Sequence, residues 1–231
     1  MTTAKNAIIT GGSRGLGFAL ADQLARAGWT VIIDGRNADA VSSAAAALGV
    51  IGIPGDITDA AHRAEVLAAV PGGRLDLLVN NAGILGPSPL PRVADFDPDA
   101  LQAIFDVNVI APLQLTQAAL PLLRESRGIV ADITSDAAVE PYPGWGGYGA
   151  AKAATEQLRN VLAAEEPEVT VWRIDPGDLR TEMHQLAFPG EDISDRPLPS
   201  AVAPGLISLL FERPGSGRYR LADYVPAGAS Q

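Results

Sequence analysis

Short apolar runs alternate with longer segments of helical period along most of the chain, and no other feature limits the fold so tightly. The alternation points to parallel strands joined by right-handed helical crossovers, with helices on both faces of one sheet. Residues 7–9 read as a first strand and 18–26 as the helix behind it; 30–33 form a second strand, 38–48 an Ala-rich helix and 49–54 a short third strand. A fourth strand over 75–79 follows the breaker Pro71-Gly72-Gly73. The spacing then predicts a long amphipathic helix over 99–124, bent or offset where Pro112 and Pro121 remove donors. Strands over 128–133 and 170–174 bracket a helix over 148–164, and a helix over 206–211 with a last strand over 218–221 completes the pattern. The expected architecture is α/β, three-layered and doubly wound around a parallel sheet of about seven strands. No repeat, low-complexity tail or linker interrupts it, so residues 1–231 read as a single domain.

Composition narrows the classes of function. Hydrophobic residues make up 47% of the 231 positions and charged residues 19%, which is enough for a sizeable core. The net charge of −10 would be repelled by a phosphate backbone, so nucleic acid is not an expected partner. With no cysteine, disulfides, thiolate metal sites and Cys nucleophiles fall away together, and a reducing cytoplasm suits the chain. No apolar run approaches the roughly 20 residues of a bilayer span. The opening residues are too short a lead for a signal peptide, so the expectation is a cytoplasmic protein without a membrane partner. His62 and His184 stand far apart without partners at ligand spacing, and no metal site is expected.

Between the first strand and the first helix lies Thr10-Gly11-Gly12-Ser13-Arg14-Gly15-Leu16-Gly17. Glycines in that setting let the backbone turn tightly and approach a pyrophosphate, whose charge then rests on the amides of the helix N-terminus. The spacing is Gly-x-x-x-Gly-x-Gly rather than GxGxxG, and a glycine turn without a ligand is the bland alternative. The same chain also carries Asn80-Asn81-Ala82-Gly83 after the fourth strand, Asn108 in the long helix, Ser135 after the fifth strand, Tyr148 and Lys152, Pro176-Gly177 and Thr181. Ser135 and Tyr148 are 13 positions apart, Tyr148 and Lys152 four, Asn108 and Ser135 27. Together these residues resemble the short-chain dehydrogenase/reductase family over about residues 5–183, which implies a Rossmann fold and a nicotinamide cofactor. By that resemblance the cofactor is held by Gly11, Ser13, Arg14, Gly15, Leu16, Gly17, Arg36, Asp56, Ile57, Asn80, Asn81, Ala82, Gly83, Tyr148, Lys152, Pro176, Gly177 and Thr181.

The end of the second strand separates the two nicotinamide cofactors. An acid there accepts from the ribose 2′-OH of NAD, whereas an Arg accommodates the 2′-phosphate of NADP. The run is Ile33-Asp34-Gly35-Arg36; the position of the family's NAD-selecting acid holds Gly35, Arg36 follows it, and Arg14 in the glycine turn is a second base. Two guanidiniums can fork a phosphate, and Asp34, one residue early, does not prevent it, so NADP(H) is favoured over NAD(H). The bland reading of Arg36 is a solvated helix-start residue. Asp56 resembles the family residue that bonds the adenine amino group; a helix N-cap is its alternative role.

Tyr148 and Lys152, at i and i+4, share a helix face, so an ammonium can lie close to a phenol and draw its pKa below the usual value of about 10. That makes the phenol usable as an acid or base near neutral pH, and Ser135 can bond the same substrate oxygen. The resemblance implies that Tyr148 exchanges a proton with a carbonyl or alcohol of a small metabolite while hydride passes to or from the nicotinamide. Lys152 would also bind the nicotinamide ribose, and Asn108 would hold a water linking Lys152 to solvent. A Tyr on a helix face is more often packing, but Pro143-Gly144-Trp145-Gly146-Gly147 reads as an approach that lets substrate reach the hydroxyl. No Gly-x-Ser-x-Gly elbow makes Ser135 a nucleophile. Imine reduction, epimerisation or dehydration on the same scaffold, and a non-catalytic NADP-sensing protein, are the alternative functions. Residues 182–204, rich in Pro, Asp and Gly, read as a mobile substrate flap with little packing of its own. Met183, His184, Leu186 and Phe188 would line the pocket from the flap, facing Glu140, Tyr142 and Trp145. A homodimer or homotetramer is implied, although Ala222-Asp223-Tyr224-Val225 stands where the family often has Asp-Gly-Gly.

Overall fold

Seven strands, all parallel, form one sheet: β1 (Asn6–Ile9), β2 (Thr30–Gly35), β3 (Ile51–Pro54), β4 (Leu77–Asn80), β5 (Ile129–Ile133), β6 (Thr170–Asp175) and β7 (Gly217–Arg220). Their order is β3-β2-β1-β4-β5-β6-β7 in this computed structural model, which describes residues 4–228. The expected doubly wound α/β architecture is therefore present. The chain winds outward from β1 to β3, returns to β4 beside β1, and winds the other way to β7, so the topological switch point lies between β1 and β4. Ile8 is in register with Ile32 on one side and Leu78 on the other.

Alternate residues of each strand feed two cores, as the two-residue period of a strand requires. Ala7, Ile9, Val31, Ile33 and Val79 pack with helices α1 (Gly15–Arg26), α2 (Ala38–Leu48), α8 (Pro199–Val202) and α9 (Pro204–Glu212). Ile8, Ile32, Ile53, Leu78 and Val130 pack on the other face with α3 (Ala60–Ala68) and α5 (Ala111–Ser126). A smaller cluster of Ile104, Val109 and Ala151 joins α4 (Pro98–Phe105) to α6 (Gly146–Glu165). The continuous helical run Pro98–Ser126 is long and apolar enough, by length and composition, to cross a membrane. Here its apolar stripe belongs to the protein core: Leu115, Ala119 and Leu123 are completely buried.

The expected long helix is interrupted differently from the sequence reading. A wide π turn occupies Asp106–Ile110, ahead of Pro112, while Pro121 is carried inside α5. Pro112 has no N–H to give the Asn108 carbonyl four residues back, and that oxygen instead accepts from Thr155 Oγ1 on α6 at 3.0 Å. Helix α3 is not anticipated by the sequence reading; Asp59 caps it, accepting from the Ala61 N–H at 2.9 Å. The segment expected as an unpacked flap holds α7 (Glu182–Ala187) and α8, with Ile193, Ala187 and Pro199 buried. Two of its prolines, Pro199 and Pro204, open α8 and α9, where a missing N–H costs nothing.

Candidate active site

The turns after β1 and β4 meet at the switch point. After β1, Gly15 adopts a φ of +57°, and the space beside it is open apart from Thr181 Cγ2, 3.8 Å from where a Cβ would stand. At Gly17 a Cβ would lie 2.4 Å from the Gly11 carbonyl oxygen, so α1 approaches the turn this closely only with glycine there. Helix α1 starts with no capping side chain and no acid in its first turn, leaving N–H groups and the positive end of its dipole for a ligand. Leu16 is buried in the core, as is Ile57 beyond β3, so each offers only backbone.

Asn81 ties the two turns together. Its Nδ2 donates to the carbonyls of Thr10 at 2.8 Å and Gly11 at 3.1 Å, and Thr10 Oγ1 receives the N–H groups of Asn81 and Ala82, both at 3.0 Å. Asn80 Nδ2 donates to Thr116 Oγ1 at 3.2 Å. The side chains of both asparagines therefore serve the scaffold, and the strand end through Ala82 and Gly83 presents backbone to the crevice. Across it, Gly177 after β6 donates its N–H to Asp175 Oδ1 at 3.0 Å, and Thr181 caps α7 by accepting from the His184 N–H at 3.2 Å.

At the end of β2, Asp34 is 1% exposed and turned inward. Its Oδ1 accepts from the Gly11 N–H at 2.6 Å and its Oδ2 faces His62 Nε2 at 3.1 Å. That hydrogen bond is the first cause of a raised His62 pKa. Gly35 brings no side chain, and a Cβ there would stand 3.1 Å from Ser13 Oγ. Arg36 is exposed, while Arg14 is exposed and paired with Glu182 at the start of α7. Asp56 accepts from both the N–H (2.9 Å) and the hydroxyl (2.7 Å) of Thr58, which hold its carboxyl below the ordinary range. The helix cap considered for Asp56 is taken by Asp59 instead. An open glycine turn, an uncapped helix start and two exposed guanidiniums suit a phosphate-bearing dinucleotide.

Ser135, Tyr148 and Lys152 come together beyond β5. Ser135 caps a short turn, accepting from the Ala137 N–H at 3.2 Å and donating to Asp136 Oδ1 at 3.0 Å. Helix α6 lies against that turn because residue 149 is glycine: a Cβ there would meet the Ala137 carbonyl at 2.5 Å. Tyr148 sits in the first turn of α6, edge-on to Trp145 with ring centres 5.8 Å apart. Lys152 Nζ lies 5.4 Å from the centre of the phenol ring and donates to the Ile133 carbonyl at 2.7 Å. Burial pushes this ammonium down to about 8, opposed by Asp132 and Glu156. The phenol does not follow the expectation of a lowered pKa. Burial first, then the negative fields of Asp175 and Asp136, raise it above its ordinary value.

The Asn108 side chain is tied to the chain after β4, its Oδ1 accepting from the Ile84 N–H and its Nδ2 donating to the Ile84 carbonyl, both at 2.8 Å, while its backbone carbonyl accepts from Thr155 Oγ1. One further expectation, the open glycine approach, needs correction. The glycines before Tyr148 are filled by neighbours rather than opened for substrate: Cβ atoms at Gly146 and Gly147 would meet Val93 and Phe96, each at 2.4 Å. A groove of about 530 Å³ beside this loop is lined by Val93, Val139, Tyr142 and Trp145, and neither Ser135, Tyr148 nor Lys152 contributes to it.

Sequence reasoning gave no role to Arg218 on β7. Its guanidinium bonds Glu156 Oε1, Asp175 Oδ2 and the Ser135 carbonyl at 3.0, 3.0 and 3.1 Å, and Glu156 also accepts from Thr134 Oγ1 at 2.6 Å. One cation thus binds the turn that carries Ser135, the carboxylate below Gly177 and the helix that carries Lys152. The only signal in the sequence was an Arg among the polar alternations of a last strand. On the flap side, Phe188 stacks near Trp145 and His184 at 6.2 and 4.9 Å, and Tyr142 donates to Asp136 Oδ2 at 3.0 Å.

Known proteins resemble this chain in sequence and fold. A sequence model described as short chain dehydrogenase matches residues 5–192. A serine 3-dehydrogenase from Agrobacterium fabrum is 41% identical over 184 residues, 76% of this chain and 72% of its own. A sepiapterin reductase from Meriones unguiculatus is 37% identical over 200 residues, 78% of this chain and 76% of its own. Among solved structures, a short chain dehydrogenase from Shigella flexneri complexed with NADP superimposes with a TM-score of 0.85 at 31% identity, covering 94% of this chain and 95% of that one.

Proposed function

The chain belongs to the short-chain dehydrogenase family, and on that premise we propose that it is an NADP-dependent oxidoreductase acting on a carbonyl or alcohol of a small metabolite, with Tyr148 as general acid/base. The observation that carries the reading is the meeting of Tyr148 and Lys152 on α6 with the Ser135 turn, beside a glycine turn suited to a dinucleotide. The NADP complex of the Shigella flexneri relative supports the choice of cofactor, as do Arg36 and the inward turn of Asp34. Gly11, Ser13, Gly15, Leu16 and Gly17 would hold the pyrophosphate, Arg14 and Arg36 the 2′-phosphate, Asp56 and Ile57 the adenine, and the backbones of residues 80–83 with Pro176, Gly177 and Thr181 the nicotinamide end. When bound, the nicotinamide supplies or accepts the hydride.

The chain's own residues handle the proton. A phenol held above its ordinary pKa keeps its proton at neutral pH and can donate it to a carbonyl oxygen that is becoming an alkoxide. Ser135 donates to the same oxygen once substrate replaces Asp136 as its partner. Lys152, fixed by the Ile133 carbonyl, is the cation beside the phenol as negative charge develops on it. The Asn108 carbonyl, in the π turn packed against α6 through Thr155, would accept the water that links Lys152 to solvent. Homo-oligomeric assembly in the cytoplasm belongs to the same reading, and exposed Ile110, Leu158 and Val161 on the helices after β4 and β5 support pairing of subunits. The two relatives carry different substrate names, serine and sepiapterin, so the test is a reduction screen with NADPH and NADH against ketones, quinones, enones, amino-alcohol-derived carbonyls and cyclic imines. Oxidation of NADPH by at least one carbonyl is the expected result; turnover of imines alone would move the function to imine reduction, and none with any acceptor would remove the reading.

A further inference from the structure

We propose that His62 is a specificity-determining positioning residue for the dinucleotide: it keeps the Asp34 carboxylate beneath the glycine turn and so leaves the end of β2 to the 2′-phosphate. The inference rests on the NADP reading above and adds the residue that makes an acid at that strand end compatible with it. An acid near the end of a second strand is the group that accepts a ribose hydroxyl and repels a phosphate there. Asp34 is such an acid by sequence, yet both of its oxygens are engaged inside the protein, Oδ1 by the Gly11 N–H at 2.6 Å and Oδ2 by His62 Nε2 at 3.1 Å. The His62 and Asp34 side chains are 4% and 2% exposed. With a carboxylate as its neighbour, Nε2 carries the proton.

The position of the imidazole is built rather than incidental. His62 comes from α3, 28 residues beyond Asp34, and its ring fills the space beside Gly55, where a Cβ would stand 2.1 Å from Nδ1. Gly35, next to Asp34, has no side chain to contribute, and Arg36 follows exposed. Without the imidazole, Asp34 Oδ2 would be a buried oxygen with no donor. Rotation about its side-chain bonds toward the exposed strand end restores hydration, and puts negative charge beside Arg36 where the 2′-phosphate is to sit. His62 thereby acts through Asp34 on the choice between two cofactors that it does not itself touch.

Fluorescence titration of NADPH and NADH on the whole chain reads this directly, without turnover. His62→Gln places an amide N–H near the site of Nε2 and is expected to keep the NADPH-to-NADH affinity ratio within about twofold of wild type. His62→Ala is expected to lower the ratio by about tenfold or more, and Asp34→Ser in the same chain to restore it, because no carboxylate is left to swing out. Gly55→Ala, which displaces the ring while keeping it and lies at an ordinary backbone conformation, is expected to lower the ratio in the same direction, and it decides the matter if His62→Ala does not fold. An unchanged ratio in folded His62→Ala or Gly55→Ala, or a fall that persists when Asp34 is also replaced, overturns the proposal. Tighter binding of NADH than NADPH by the wild type would instead remove the NADP reading, and the shifts between variants would still decide the role of His62.

Discussion

Lys152 sits in the protein at the expense of stability, and replacing it by Met should make the fold stronger. The residue is 6% exposed and burial depresses its pKa from 10.5 to about 8. At about 1.4 kcal/mol per unit, holding the charged form at neutral pH destabilises the native state by about 3 kcal/mol. Met removes that charge and keeps the stem, but leaves the Ile133 carbonyl without its donor, which returns about 1 kcal/mol. The net expectation is about 2 kcal/mol of added stability, or a melting temperature raised by roughly 4–8 °C for a domain of this size. The pH dependence has a definite sign: a lysine whose folded pKa lies below its unfolded value leaves the unfolded chain holding the extra proton between the two, so stability rises with pH across that window. By about pH 9.5 some 2 kcal/mol of the wild-type deficit is relieved, and the gap to Lys152→Met should nearly close. Thermal melts followed by circular dichroism at about pH 7 and about pH 9.5, without cofactor, measure both quantities. A variant that melts below wild type at neutral pH, or a gap that does not narrow at the higher pH, would refute the account of a buried, strained ammonium.

Arg14→Ala with Arg36→Ala should weaken NADPH binding by about tenfold or more while changing NADH by less than about threefold, since only the former carries the 2′-phosphate; equal losses in a titration would discredit the phosphate assignment. Arg218→Met should lower stability by about 2–3 kcal/mol, because it strands Asp175 and Glu156, and should move the pH–rate profile to higher pH by unmasking the Asp175 charge beside the phenol, with Arg218→Lys recovering part of both. Unchanged melting and pH–rate profiles would show that the cation neutralises nothing of consequence. Sedimentation of the purified chain should give a dimer or tetramer, and a monomer at working concentration would exclude pairing through the helices that follow β4 and β5.

Where periodicity and punctuation agreed, the sequence was a sufficient guide. Helix α2 was expected at the residues it occupies from its Ala-rich run, and the structure closes it with Asn37 capping its start and Gly49, at φ +67°, ending it in a conformation that glycine favours. The same Gly49 was wrongly given to β3, which begins at Ile51. Helix α3 escaped notice because it is short and polar, its burial resting on His62, Arg63 and Val66 rather than on an apolar stripe. Tyr148 and Lys152 were legible as a pair from their spacing of four on one helix, and Ser135 through the family resemblance. Their electrostatics were not. Tyr148 is governed by burial first and then by Asp175, at the end of β6, neither of which a spacing of four residues reveals. Asp34 taught the same lesson: its place in the sequence marked it as a doubtful acid at the cofactor, and only its long-range contacts with Gly11 and His62 show where the charge goes.

The central claim is that the Tyr148 hydroxyl delivers the proton at the carbon that exchanges hydride. Tyr148→Phe removes one oxygen and leaves the stacking on Trp145 in place. For the best carbonyl found in the screen, the variant should lose turnover by about a thousandfold or more while its NADPH affinity stays within about threefold of wild type. Turnover that survives this change near the wild-type rate would contradict the claim, whatever else of the site proves correct.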